Sequence, residues 1–317
     1  MHRIAVLDDY QSVAADFCDW SQVPGPVRVV EFHDAVADPD ALAARLEPFD
    51  VVVAMRERTG FPRGLLERLP NLRLLVTTGM RNRAIDVAAA TELGITVCGT
   101  GAGAAATAEL TWGLILATLR QIPREDASVR AGGWQQTLGG DLDGARLGVV
   151  GLGRLGSRVA RVGQAFGMDV VAWSQNLTDE RATEVGVRRV ERDELFGTAD
   201  VVTIHLLLSR RTRGLIGAED LGRMKPTAVL VNTSRGPIVD QEALLDALHG
   251  GRIAGAGLDV FEAEPLPRDH PLRSAPRTVL TPHLGYVTRG TYEVFYGEAV
   301  EDVAAWAAGE PVRVIEQ

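Results

Sequence analysis

The sequence predicts an α/β protein built from two doubly wound parallel-sheet domains, and three observations carry that expectation. Its 317 residues exceed the size at which a single hydrophobic core stops growing, so two domains are the default. Short β-branched runs alternate with helix-periodic segments from end to end, as in parallel sheets covered by helices. A glycine-rich turn, Gly151-Leu152-Gly153-Arg154-Leu155-Gly156, joins one such run directly to one such helix.

In chain order, apolar runs expected to be strands fall at residues 4–7, 27–32, 51–55, 72–76 and 95–98. A second group falls at 147–150, 170–173, 201–204, 228–231, 256–260 and 278–280. Between the groups, the small residues Gly99-Thr100-Gly101-Ala102-Gly103 read as a hinge running into a long apolar helix over about 105–119. A final helix over 291–308, with Val294, Val300 and Trp306 among its apolar positions, is placed back on the first domain. The expected division is therefore 1–100 plus 287–317 for one domain and 101–286 for the other.

In the glycine turn, Gly151 allows a tight strand-to-helix reversal, Gly153 lets backbone N–H groups approach an anion, and Gly156 lets the helix pack closely on the strand. Unpaired N–H groups and the positive end of the helix dipole then face a pyrophosphate. The letters alone are weak evidence, but Leu155, Val159, Val162 and Phe166 share one expected helical face and the run 170–173 supplies the next strand. The expectation is a Rossmann nucleotide-binding domain inserted into a flavodoxin-like domain. The acidic residue that normally bonds the adenosine ribose of NAD is missing, its place being taken by Ser174-Gln175-Asn176. The nearest downstream arginine is Arg181, so NAD is the expected cofactor with NADP left open.

The formal net charge of -9 argues against nucleic acid or a membrane surface as partner, since both are anionic. Cys18 and Cys98 lie in no metal or redox spacing and read as reduced core residues, and no metal site is expected. Asp8 and Asp9 interrupt the first apolar run before it could serve as a secretory segment, and the apolar stretch 110–119 is half the ~20 residues of a membrane span. A cytoplasmic enzyme is the simplest expectation.

Ligands of open parallel sheets sit outside the carboxyl ends of the strands. There the second group of runs ends in Ser174, His205, Asn232-Thr233-Ser234-Arg235-Gly236, Asp259 and Thr281-Pro282-His283. Reducing a 2-keto acid requires a cation for the carboxylate, an acid for the carbonyl oxygen and a group that keeps that acid protonated. Arg235, His283 and Glu264 have those chemical types. Arg235 alone also reads as a surface arginine at a helix start, and Glu264 alone as a solvated loop carboxylate. Their joint occurrence is what argues for chemistry. His2, His33, His249 and His270 are assigned no role.

These motifs, together with Gly133-Trp134, Asp141-Leu142-Asp143-Gly144, Gly257-Leu258-Asp259-Val260-Phe261, Glu264-Pro265 and Thr281-Pro282-His283-Leu284-Gly285, resemble those of the NAD-dependent D-2-hydroxyacid dehydrogenase family. That family includes phosphoglycerate, glyoxylate/hydroxypyruvate and D-lactate dehydrogenases. The resemblance implies that Arg235 orients the substrate, His283 is the acid/base and Glu264 tunes it. It also implies that Asp259 contacts the nicotinamide carboxamide and that Arg154 and Leu155 lie under the pyrophosphate; with Gly151, Gly153, Gly156, Ser174, His205, Thr233 and Gly285 these make up the expected cofactor contacts. The first domain becomes the substrate side, through Gly79, Met80 and Arg81 and through Arg56, a position that faces substrate in some members. A small anionic acid is the implied partner, with a homodimer formed through the nucleotide domain near the apolar helix. The sequence departs from the pattern at Arg81 and Tyr286, where glycines are common, at Leu207, where a proline is common, and at Ser174. Two rival readings are a dehydrogenase of another small anion such as phosphite and an NADH-sensing binding protein without turnover. Glu264 stands where formate dehydrogenases usually carry glutamine, which counts against formate.

Overall fold

The computed structural model describes residues 1–103 and 105–316. The chain divides into two compact units, a split unit of Met1–Gly103 with Thr288–Gln317 and a continuous unit of Ala104–Val287. Among the described residues no helix is long and apolar enough to cross a membrane.

The split unit carries five parallel strands, β1 (His2–Val6), β2 (Val27–Glu31), β3 (Val51–Ala54), β4 (Leu74–Thr77) and β5 (Thr96–Gly99), in the order β2-β1-β3-β4-β5. β3 and β4 are buried at every position, as expected of continuous apolar runs covered on both faces. The last helix, Arg289–Ala307, packs on β4 and β5 and so belongs with this sheet. Its buried face is led by Tyr292, Phe295, Tyr296, Val300 and Val303, whereas Val294 is 36 % exposed. The aromatic residues, with their larger apolar area, fix that face. Cys98 is buried and Cys18 half-buried, both are free thiols, and burial pushes each up to about 12.

The continuous unit carries seven parallel strands: β6 (Arg146–Val150), β7 (Asp169–Trp173), β8 (Arg188–Arg189), β9 (Val201–Ile204), β10 (Val229–Asn232), β11 (Gly255–Leu258) and β12 (Thr278–Leu280). Their order is β12-β11-β10-β9-β6-β7-β8. The chain runs outward from β6 through β7 to β8, then crosses back to β9 and runs out the other way. The carboxyl end of β6 is therefore the switch point at which such sheets hold ligands. The two-residue edge strand β8 has no apolar run to announce it.

The helix after β6, Arg154–Ala165, buries Gly156, Ser157, Val159, Ala160 and Gly163. This corrects the expected face, since Val162 and Phe166 are 39 % and 40 % exposed. Close approach explains the difference: a Cβ on Gly163 would stand 2.7 Å from Leu147 Cδ2, so the small residues face the sheet. Phe166 instead packs its ring 4.9 Å from Trp112 of the apolar helix Ala105–Leu119.

Candidate active site

Parallel strands put every strand-end residue of the continuous unit on one edge of its sheet. At the centre of that edge, Gly151 has φ +99° and its N–H donates to Trp173 O at the end of β7. A Cβ there would lie 2.8 Å from His205 O at the end of β9, so only glycine lets the turn pass between its neighbours. A Cβ on Gly156 would lie 2.0 Å from Gly151 O, which is why the helix can start so close to the strand. Gly153 is exposed, with nothing within 4 Å of the position a Cβ would take. The cradle thus has open space above a helix start whose cap makes no side-chain hydrogen bond, as a pyrophosphate requires. Exposed Arg154 and half-buried Leu155 follow as the first helical residues.

The ribose end of the turn is neutral. Ser174 is half-buried and Gln175 and Asn176 are exposed, with Leu177 N–H donating to Ser174 O at 3.1 Å. Arg181 is engaged elsewhere, donating to Ser157 Oγ and to Glu184. His205 bonds Thr203 Oγ1 through Nε2 at 3.0 Å, and burial pushes its pKa down to about 4, so its ring is neutral near pH 7. Leu207, in the loop that follows, is 72 % exposed.

At the next strand end, buried Asn232 donates its amide to Arg235 O at 3.0 Å and accepts from Ser234 N–H at 3.0 Å. These bonds shape the loop that presents Arg235, whose Nη1 donates to Ser234 O at 2.8 Å. Buried Thr233 shares a hydroxyl contact of 2.8 Å with Thr111. Gly236, part of the Asn232–Gly236 motif without a role of its own in the sequence, is a positioning residue. A Cβ there would lie 2.1 Å from Phe261 C, so only glycine lets the Arg235 loop lie against residues 261–262, just before Glu264.

Glu264 and His283 meet at 2.6 Å, Oε2 against Nδ1. The other Glu264 oxygen accepts from Phe261 N–H at 2.8 Å. Burial alone would raise the Glu264 carboxyl. The bond to His283, its charge, the Phe261 N–H and the Arg235 charge outweigh burial and leave the pKa below the usual carboxylate value. With Nδ1 turned to Glu264, Nε2 lies on the far side of the ring.

His283 has φ +56°, a left-handed conformation that a non-glycine residue holds only when its surroundings enforce it. Asp259 does so. Its carboxylate is buried and accepts from Thr281 Oγ1 at 2.6 Å, Leu284 N–H at 2.7 Å and Gly285 N–H at 2.9 Å, while its backbone oxygen accepts from His283 N–H at 2.8 Å. Burial leaves the Asp259 carboxyl above its usual pKa despite those bonds. Thr107 Oγ1 closes the arrangement by donating to Gly285 O at 2.8 Å.

In the split unit the loops after β3 and β4 interlock. Arg56, at φ +52°, donates its backbone N–H to Thr78 Oγ1 at 2.9 Å and its Nη1 to Thr78 O at 3.0 Å, with Glu57 at 3.7 Å from Nη2. Gly79 has φ +92°, and a Cβ there would lie 1.7 Å from Arg56 Nη1. Met80 is 45 % exposed and Arg81 is exposed. Asp9, Glu31 and His33 also lie close enough to share an ion, but Asp9 is already committed to the N–H groups of Val13 and Ala14.

The model of the D-isomer specific 2-hydroxyacid dehydrogenase NAD-binding domain matches residues 112–285, more than half of the chain. The chain belongs to the D-isomer specific 2-hydroxyacid dehydrogenase family. It is 43 % identical over 256 residues to a glyoxylate reductase of Aeropyrum pernix, covering 78 % of this chain and 76 % of that protein. It is 37 % identical to a D-3-phosphoglycerate dehydrogenase of Bacillus subtilis, spanning only 51 % of that longer protein. A crystal structure of a phosphoglycerate oxidoreductase from Vibrio cholerae superposes with TM-score 0.93 at 39 % identity, covering 98 % of this chain and 100 % of that one. As a member of this family the chain is an NAD-dependent oxidoreductase acting on 2-hydroxy acids, and the glycine cradle has the space its cofactor needs.

Proposed function

We propose that the protein reduces a small 2-keto acid to its 2-hydroxy acid, or runs the reverse oxidation, with Arg235, Glu264 and His283 as the catalytic set. The observation that carries this reading is the 2.6 Å contact between His283 Nδ1 and Glu264, in a loop shaped by Asp259. Bound NADH supplies the hydride, and NADPH fits the neutral Ser174-Gln175-Asn176 segment as well. Arg235 grips the substrate carboxylate with its planar fork of donors. His283 gives a proton from Nε2 to the carbonyl oxygen in reduction and takes it back in oxidation. Glu264 keeps Nδ1 protonated and the ring turned the right way. Gly151, Gly153, Arg154, Leu155 and Gly156 hold the pyrophosphate, and Ser174, His205, Thr233, Asp259 and Gly285 complete the cofactor contacts. The split unit is the substrate unit, binding through Gly79, Met80, Arg81 and Arg56.

The protein works in the cytoplasm as a homodimer formed through the continuous unit. Supporting this are its two free thiols and the exposed apolar side chains of the continuous unit, among them Ile122, Trp134 (71 % exposed) and Leu138 (96 % exposed). Absorbance at the NADH band, followed over a panel of 2-keto acids with NADH and NADPH in parallel, tests the activity. Turnover of glyoxylate, hydroxypyruvate or pyruvate is expected, and tight NADH binding without turnover across the panel would contradict the reading.

A further inference from the structure

Tyr286 stands three residues beyond His283, on the loop held by Asp259. Its ring packs against the imidazole of His283 with centroids 5.5 Å apart and planes at 66°, an edge-to-face pair within the favourable range for aromatic rings. The phenolic oxygen is itself buried, so the side chain is drawn in against the loop.

The imidazole needs such a contact. Its backbone is fixed by Asp259, and one ring atom, Nδ1, is fixed by Glu264. With the backbone held, the ring keeps two torsions, χ1 and χ2, and one hydrogen bond restrains them only within the latitude of its own length and angle. Within that latitude Nε2, on the far side of the ring, swings relative to a reacting oxygen. Proton transfer needs heavy atoms within roughly 3 Å and aligned, so a modest swing is enough to lose the productive geometry.

We propose that Tyr286 is a positioning residue for the acid/base, its ring setting the plane of the His283 imidazole so that Nε2 faces the substrate oxygen. The proposal rests on the assignment of His283 as acid/base. An edge-to-face pair of this kind biases an orientation by on the order of three- to tenfold. The effect comes from the aromatic ring and not from the hydroxyl, and it passes through His283 alone.

The test measures kcat, KM and NADH affinity by fluorescence titration for wild type, Tyr286→Leu, Tyr286→Phe, His283→Ala and the double variant His283→Ala/Tyr286→Leu. Tyr286→Leu should lower kcat three- to tenfold with NADH affinity unchanged, and Tyr286→Phe should restore it. In the His283→Ala background the leucine substitution should cost nothing further, because the group it orients is gone. An equal loss from Tyr286→Leu in both backgrounds would overturn the proposal, as would a Tyr286→Phe variant as slow as the leucine one. If Tyr286→Leu does not fold, Tyr286→Met, which keeps bulk without a ring, takes its place under the same criteria. An active His283→Ala variant would instead sink the acid/base assignment, a result distinguishable from a Tyr286→Leu variant that turns over at the wild-type rate while His283→Ala is inactive.

Discussion

In the continuous unit the side chains at the strand ends hold one another. Glu264 holds His283, Asp259 holds the loop from Thr281 to Gly285, and Asn232 shapes the loop that presents Arg235. In the split unit the loops after β3 and β4 are also held by side chains, those of Arg56, Thr77, Thr78, Asn82 and Thr100, but Met80 and Arg81 between them are left at the surface. Under the proposed function the contrast separates two tasks. Chemistry common to a class of substrates needs groups fixed before substrate arrives, whereas choice among substrates needs exposed side chains that can differ from one relative to the next.

The sharpest way to break that division is at the acid/base. His283→Ala should lose 10² to 10⁴ in kcat, the usual contribution of a general acid, while still binding NADH. Near-normal turnover would remove the continuous unit's claim to the chemistry. Arg235→Ala should cost roughly 10² in kcat/KM for every 2-keto acid tried, through higher KM and lower kcat together, since a charged bidentate partner is lost. A loss confined to one substrate would make Arg235 a selectivity residue instead.

Substitution in the split unit should behave differently. Arg56→Ala and Arg81→Ala should change the ranking of 2-keto acids, each raising KM by up to about tenfold with kcat nearly preserved. Uniform loss of kcat would erase the distinction between the units. On the cofactor side, Ser174→Asp should shift preference towards NADH over NADPH by about tenfold, because a carboxylate there bonds the ribose hydroxyls and repels a 2′-phosphate.

The smallest expected effects are on stability, and they have opposite signs in the two units. In the continuous unit, burial lowers His205 from 6.5 to about 4, so the unfolded chain takes up a proton first and stability falls as pH drops from about 6.5 to about 4. In the split unit, burial raises Asp302 from 3.8 to about 7 against the opposing effect of Arg313. That contribution is present below about 4 and is lost as pH rises to about 7. Melting temperatures measured against pH should therefore show His205→Gln flattening the acid-side loss and Asp302→Asn flattening the opposite slope, each by a few degrees. Slopes of the same sign would contradict the burial argument.

How much of this was legible in the sequence follows the same division. The alternation of apolar runs marks both sheets, and the glycine turn, Arg235, Glu264 and His283 stand out because their chemistry demands particular residue types. What stayed hidden depends on approach distances. The helix Arg154–Ala165 turns Gly156, Ser157, Ala160 and Gly163 to the sheet because close packing selects small residues over large apolar ones. Gly236 matters only because Phe261 lies against it, and the left-handed His283 becomes visible only when the Asp259 carboxylate is seen beneath its loop. Letters alone do not decide whether Arg56 faces substrate or pairs with Glu57 or solvent. In the fold its Nη1 donates to Thr78 O and its Nη2 lies 3.7 Å from Glu57.

The most direct measurement is a crystal structure of the protein with its nicotinamide cofactor and an unreactive 2-keto acid analogue. The account predicts the Arg235 guanidinium on the analogue's carboxylate and His283 Nε2 within about 2.6–3.2 Å of its carbonyl oxygen. An analogue carboxylate bound away from Arg235, or a His283 ring turned from the carbonyl, would contradict it.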